Sequence, residues 1–161
     1  MKKLIFVTLL LFLSIFLALS AQKKSFDFVK IFSIARPSGP KAQVKNHTFS
    51  IDVAKQPEDR EIGLSKYNSL QKDKGMYFIF DKPDLYAFWM KNMKFPIDII
   101  FLNSNTVVDI KENVPAADPN DLNPPRYIPK KPANAVLEIS AGLSKEYEVK
   151  VGDIVTFSNL P

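Results

Sequence analysis

Apolar and polar residues alternate from Phe49 to Val53, with Ser50 and Asp52 between Phe49, Ile51 and Val53. Period two marks a strand with one buried face. Pro57 then stands where a helix tolerates proline, at its first position, and Glu58, Asp59 and Glu61 follow near that N-terminus, where negative charge is favoured. Ile62, Gly63 and Leu64 close the helix. Asp73-Lys74-Gly75 reads as a turn and Met76 to Phe80 as a strand. Ala87 to Asn92 reads as another, with Trp89 and Lys91 on one face and Phe88, Met90 and Asn92 on the other. Ile97 to Leu102 is apolar nearly throughout, the pattern of a strand buried on both faces. Asn103-Ser104-Asn105 supplies a hairpin turn, and Thr106 to Glu112 alternates and pairs back. Pro115 to Pro132 is a long proline-rich loop, of the kind that is functional or mobile in a compact domain. Ala135 to Ile139 forms a strand, Ser140 caps a short helix from Ala141 to Tyr147, and Ile154 to Phe157 is the last strand. Clustered strands with short connections predict an α+β, mostly β domain. It is expected to be a small antiparallel β-barrel or sandwich with two short helices.

The start of the chain has a different pattern. Lys2 and Lys3 precede an almost wholly apolar run, Leu4 to Leu19, and small residues follow at Ala18, Ser20 and Ala21. That is the layout of a signal peptide over residues 1–21, or of an uncleaved N-terminal membrane anchor. Either places the protein outside the cytoplasm, periplasmic or extracellular, with any membrane contact made through this segment if it is retained. Residues 22–45, with Arg36-Pro37-Ser38-Gly39-Pro40, read as a tether. The folded domain is expected over 46–158.

Composition adds limits. The chain has 161 residues and formal net charge +5, which becomes +3 without Lys2 and Lys3. The other lysines are scattered, with no dense basic stripe, which argues against nucleic acid as a partner. A hydrophobic share of 46% with 13 phenylalanines is enough for a true core. There is no cysteine, so disulfides, lipoprotein anchoring and thiol chemistry are excluded. His47 is the only histidine, and no G-x-S-x-G elbow accompanies it, so it reads as a surface residue and no zinc site or catalytic triad is expected. Asp118-Pro119-Asn120-Asp121 lacks the spacing of a calcium loop and reads as a solvated turn. No metal or cofactor is expected.

Candidate chemistry lies where polar residues interrupt buried-looking strands, because a buried polar group without partners costs free energy. Trp89 and Lys91, two apart, either line a pocket for a sugar, carboxylate or aromatic ligand, or form a core indole covered by a lysine stem. Asp98 opens the most apolar internal run. It is a ligand-binding or general-base carboxylate, a cap on neighbouring backbone N–H groups, or a partner of Arg60. Glu138 interrupts Ala135-Val136-Leu137 and Ile139 and faces outward by alternation or serves as a second acid. Arg60, Trp89, Lys91, Asn92, Asp98 and Glu138 are thus the candidate binding residues of one polar cleft.

These blocks together resemble the domain of unknown function 192 family. The likeness rests on Glu58-Asp59-Arg60 through Gly63-Leu64, Gly75 to Phe80, Phe88-Trp89-Met90-Lys91-Asn92, Pro96 to Phe101, Ala135 to Glu138, Gly142 and Gly152-Asp153. It covers roughly Thr48 to Phe157 and implies a small, mostly antiparallel β-barrel with short helices, in a family many of whose members look exported. The chain departs from the family at Ser65, where methionine is usual, and near Val114-Pro115, where members often carry cysteine. The resemblance supplies no reaction. The function expected is non-catalytic binding of a small ligand or envelope component in the polar cleft. Alternatives are a hydrolase or lyase acting on a cell-wall glycan with Asp98 and Glu138 as acid and base, and a structural partner-binding module.

Overall fold

The computed structural model describes residues 39–161. The expected signal segment, residues 1–21, and residues 22–38 of the expected tether lie outside the described residues. In chain order the elements are β1 (Lys41–Val44), β2 (His47–Ala54), α1 (Pro57–Ile62), a 3-10 turn (Gly63–Lys66), β3 (Lys74–Asp84), β4 (Phe88–Trp89), β5 (Ile97–Asn103), β6 (Thr106–Val114), β7 (Arg126–Tyr127), β8 (Ala133–Ser140), α2 (Leu143–Glu146) and β9 (Val155–Ser158). Seven strands form one sheet in the order β6-β5-β8-β3-β2-β1-β9, and β4 and β7 form a separate ribbon. Only the β2–β3 pair is parallel among these strands.

The sheet curls until its ends approach. Thr106, at the start of β6, bridges Ile154, just before β9, and the Val107 and Val155 N–H groups donate across the seam to Asp153 and Asn105 carbonyls at 2.9 and 2.8 Å. The result is a half-barrel, mostly β with two short helices, as the pattern predicts. β5 and β8 lie inside the sheet and are buried on both faces. Strand alternation therefore divides their side chains between two cores. Ile100, Leu102, Leu137 and Ile139 join Phe49, Ile51 and Tyr77 on one side. Ile97, Ile99, Phe101 and Val136 join Met76, Phe78 and Met90 on the other. Each such side chain contributes roughly 1.5–3 kcal/mol by burial.

The structure corrects several expected boundaries. Lys41–Val44 belong to the sheet as β1, paired on both sides with β2 and β9, so the folded part begins before residue 46. Alternation of Ala42 and Val44, both without exposure, was masked by the neighbouring Pro37-Ser38-Gly39-Pro40. The strand expected over Ala87–Asn92 stops at Trp89. Met93 N–H closes a turn on the Met90 carbonyl at 3.1 Å, and Asn92 takes a left-handed φ of 61° within it. Asparagine is suited to that conformation, which explains its presence without a ligand. The proline-rich loop contains β7, and its far end is pinned where Lys130 N–H donates to the buried Asp109 carboxylate at 3.0 Å.

Of the three readings of Asp98, its placement matches the cap on neighbouring backbone N–H groups. Its carboxylate is wholly buried and accepts three backbone N–H groups: Asn113 at 2.7 Å and Gly142 at 3.0 Å on Oδ1, and Ser144 at 2.7 Å on Oδ2. It ties β5 to the end of β6 and to the start of α2. Ser140, expected to cap that helix, instead donates its hydroxyl to the Leu70 carbonyl at 3.0 Å. Arg60, the other expected partner of Asp98, donates to the Lys55 and Ile79 carbonyls. Asp98→Ala would strand three backbone donors in the interior, and its unfolding free energy in urea is expected to fall by roughly 3–5 kcal/mol. A loss under about 1 kcal/mol, the scale of one ordinary hydrogen bond, would show that the carboxylate does not hold the junction.

Candidate functional site

Phe88 fixes the geometry of the site. Its ring packs edge-on against Phe78, Phe80 and Phe101, with centroids 5.2, 6.1 and 5.8 Å away. With Phe88 turned inward, alternation along β4 turns Trp89 outward, where it keeps 37% of its surface exposed. Met90 then returns to the core. Lys91 follows at the turn, and its ammonium nitrogen lies 5.4 Å from the centre of the indole. Arg126, opposite Trp89 in the β4–β7 register, places its guanidinium carbon 5.1 Å from the same ring. Of the two readings of Trp89 and Lys91, the structure gives an exposed indole with cations on it and not a covered core residue.

Beneath this ribbon is a narrow cleft of about 40 Å³. The stretch from Arg60 to Ser65 forms one wall, Phe88, Trp89, Met90, Lys91 and Met93 another, and Phe78 and Glu138 complete it. Gly63 lets α1 pass into the 3-10 turn at a positive φ of 50°, which strains any other residue, and lies against the Phe78 ring. Arg60 is anchored at the rim by its two carbonyl acceptors and by the Phe80 ring, 4.9 Å from the guanidinium carbon.

Glu138 is the unusual member. It sits in the middle of β8, between Met76 of β3 and Ile99 of β5. Only 5% of its surface is exposed. No group among the described residues donates a hydrogen bond to its carboxyl. Burial alone pushes its pKa up to about 8. At neutral pH the group is therefore a carboxylic acid, able to donate one hydrogen bond and accept others. The outward orientation considered for Glu138 does not occur, because β8 has no solvent face. Gly75 allows β3 to lie this close: a Cβ at that position would be 2.7 Å from the Glu138 carbonyl oxygen.

The cleft thus gathers Arg60, Trp89, Lys91 and Glu138 from the candidate set and leaves out Asn92 and Asp98. Asp98 and Glu138 point to opposite faces of the sheet. Asp98 alternates with Ile97 and Ile99 and so lies on the side of Ile100 and Leu137, whereas Glu138 alternates with Leu137 and Ile139 and lies on the side of Val136. Two carboxyls separated by a sheet cannot flank one glycosidic bond, so the acid–base pair expected of a glycan hydrolase is not formed. Arg126 was missed because two residues of strand inside a proline-rich loop leave no periodic signal. His47, expected at the surface, stacks on Tyr147 with centroids 3.5 Å apart and takes no part in the cleft.

A larger groove of about 550 Å³ runs beside Asp52, Tyr67 and Lys74. Burial works against ionisation of Asp52, but the Tyr67 hydroxyl and the Lys66 ammonium, 2.9 Å away, outweigh it and hold the carboxyl below its usual range. Its charged group already has partners, and the groove's rim includes Gly39 and Pro40, the first described residues. The cleft over Glu138 is the stronger candidate.

Glu138 also predicts a pH dependence of stability. Its pKa is about 8 folded against 4.5 for the free group. Below 4.5 both states hold the proton and nothing is lost. Between 4.5 and about 8 only the unfolded state releases it, so stability falls as pH rises. Over that window the wild type is expected to lose up to about 1.4 kcal/mol per pH unit relative to Glu138→Gln. Urea unfolding of both proteins across that range measures the difference, and parallel curves would refute a buried, unpartnered acid.

Comparison with known structures agrees with the fold. A protein of unknown function from Novosphingobium aromaticivorans is 32% identical, with a TM-score of 0.62 over 72% of this chain and 83% of that one. A Sinorhizobium meliloti protein, described as a candidate transcription regulator, is 29% identical, with a TM-score of 0.63 over 75% of this chain and 93% of its own. Among curated proteins nothing matches. The family model for domain of unknown function 192, an uncharacterised family, matches residues 40–157, and the chain belongs to that family.

Proposed function

We propose that this domain binds a small polar ligand, or a polar group of an envelope component, in the cleft over Glu138 and performs no chemistry on it. The observation that carries the reading is a buried carboxylic acid without a protein partner at the floor of an open cleft. Such a group costs about 1–3 kcal/mol when its hydrogen bonds are unmet, so a ligand that meets them gains what the fold forgoes. The space of about 40 Å³ is small, with room for no more than a few waters at about 10–15 Å³ each. The ligand therefore inserts a hydroxyl-sized tip, and the rest of it lies on the rim formed by Arg60, Trp89 and Lys91. Asp98 lies on the other face of the sheet, so it does not serve as the partner of Glu138 in acid–base hydrolysis of a glycan.

The N-terminal pattern supports action outside the cytoplasm, after export and with or without retention of residues 1–21 as an anchor. Among the described residues no helix is long and apolar enough to cross a membrane. The scattered lysines keep nucleic acid out of this reading, whatever the Sinorhizobium relative does. A partner-binding module is the second reading, favoured by Leu122, fully exposed in the proline-rich loop, and by Ile128, 47% exposed beside β7.

Thermal unfolding of the purified protein with cell-wall sugars, organic acids, nucleotides and divalent cations tests the proposal. At least one compound is expected to raise the wild-type Tm by several degrees at saturating concentration and to leave Glu138→Leu unmoved. An equal shift in both proteins would move binding away from the cleft, and silence across the panel would favour the partner-binding reading.

A further inference from the structure

The rim of the cleft carries more information than its floor. Trp89 is exposed, and both Lys91 and Arg126 lean on its indole. Neither cation has a carboxylate partner among the described residues, although Lys45, Lys66, Lys72 and Lys111 each have one. The aromatic contact does more than attract the two charges. It limits the rotamers of two long side chains and holds both beside Trp89, which lines the cleft, so the ordering cost of binding an anion is partly met beforehand. Arg60, fixed by carbonyls on the opposite wall, adds a third positive charge. Glu61 is the one acidic side chain on the rim.

We infer that the ligand is a hydroxylated anion of the sugar-acid class, with its carboxylate at Lys91 and Arg126 beside Trp89 and one hydroxyl reaching down to Glu138. The inference rests on the cleft being a binding site and assigns the chemistry that fills it. A hydroxyl both donates and accepts, which matches a protonated carboxyl, and it fits a space of about 40 Å³. A carboxylate matches two unpaired cations. The burial of Glu138 is consistent with this arrangement, since a neutral acid at the floor does not repel the incoming charge, while an ionised one would. Around Glu138 the charged groups facing the cleft are Arg60 and Glu61 from α1 and Lys91 from the turn after β4. Arg126 does not itself line the cleft and meets it through Trp89.

Trp89 is the only tryptophan in the chain, so intrinsic fluorescence reports on this position alone. The test titrates the purified full-length protein with glucuronate, glucose and glucosamine, three molecules of similar shape and different charge. Glucuronate is expected to change the emission along a saturable curve and to bind about tenfold or more tightly than glucose, the scale of a charge-assisted hydrogen bond. Arg126→Gln and Lys91→Gln are each expected to lower glucuronate affinity by about tenfold, with unchanged Tm because both side chains are exposed. Affinity should also fall with added salt and as pH rises through about 8. Equal binding of glucuronate and glucose, or glucuronate affinity untouched by Arg126→Gln, would overturn the anion assignment. Preference for glucosamine would overturn it while leaving the cleft a binding site. No response to any of the three also overturns it, and the Glu138→Leu thermal comparison then decides separately whether the cleft binds anything.

Discussion

A strand buried on both faces has no solvent side on which to carry a charge, and β8 has a glutamic acid at its centre. Much of the site follows from that constraint. The neighbours of Glu138 in register are Met76 and Ile99, so no backbone donor or basic side chain from the flanking strands reaches its carboxyl. The group keeps its proton instead of ionising. Gly75 lets β3 lie against the Glu138 backbone, and Gly63 turns the chain at a positive φ so that α1 and the 3-10 turn line the cleft beside the carboxyl. The remaining opening is the cleft.

Asp98 is buried as deeply, one strand away, and has the opposite solution. Its charge is met by three backbone N–H groups, which would be costly orphans without it. Removing Asp98 would leave donors unpaired, whereas removing the charge-forming group at Glu138 would leave nothing unpaired. One carboxylate holds the fold together, and the other is held neutral by the fold. The pleat of the sheet, which sends them to different cores, keeps the two environments independent.

The strands that make the cores were legible because their patterns are strong. Ile97 to Leu102 and Ala135 to Ile139 read as strands from their apolar runs alone. Their polar members did not resolve, because Asp98 and Glu138 each interrupt an apolar run and differ only in the donors that folding brings near. Those donors, at Asn113, Gly142 and Ser144, are 15, 44 and 46 residues away in sequence. Trp89 and Lys91 were singled out together, and β4 and the turn after it place both at the cleft. Arg126 was not, because its role depends on a two-residue pairing across a long loop. β1 was missed because prolines on one side suggested a tether that Ala42 and Val44 contradict only once β9 is in place.

A cleft of this kind separates affinity from stability. Lys91 and Arg126 are exposed and contribute little to the fold, because solvent screens them. They are free to be selected for a ligand. The acid at the floor contributes negatively to the fold near and above neutral pH, where glutamine or methionine would pack without a titrating group. The proposed ligand would give a physical rationale to a residue that weakens the folded state and satisfies no neighbour. In the proposed reading rim and floor act on one occupant: positive charge sets its sign, and the protonated acid sets the hydrogen-bonding group it must insert. Neither element alone discriminates strongly, since exposed cations attract any anion and a small polar floor accepts any hydroxyl. On that proposal their separation across a narrow opening demands both groups in one molecule, and specificity would arise from that geometry.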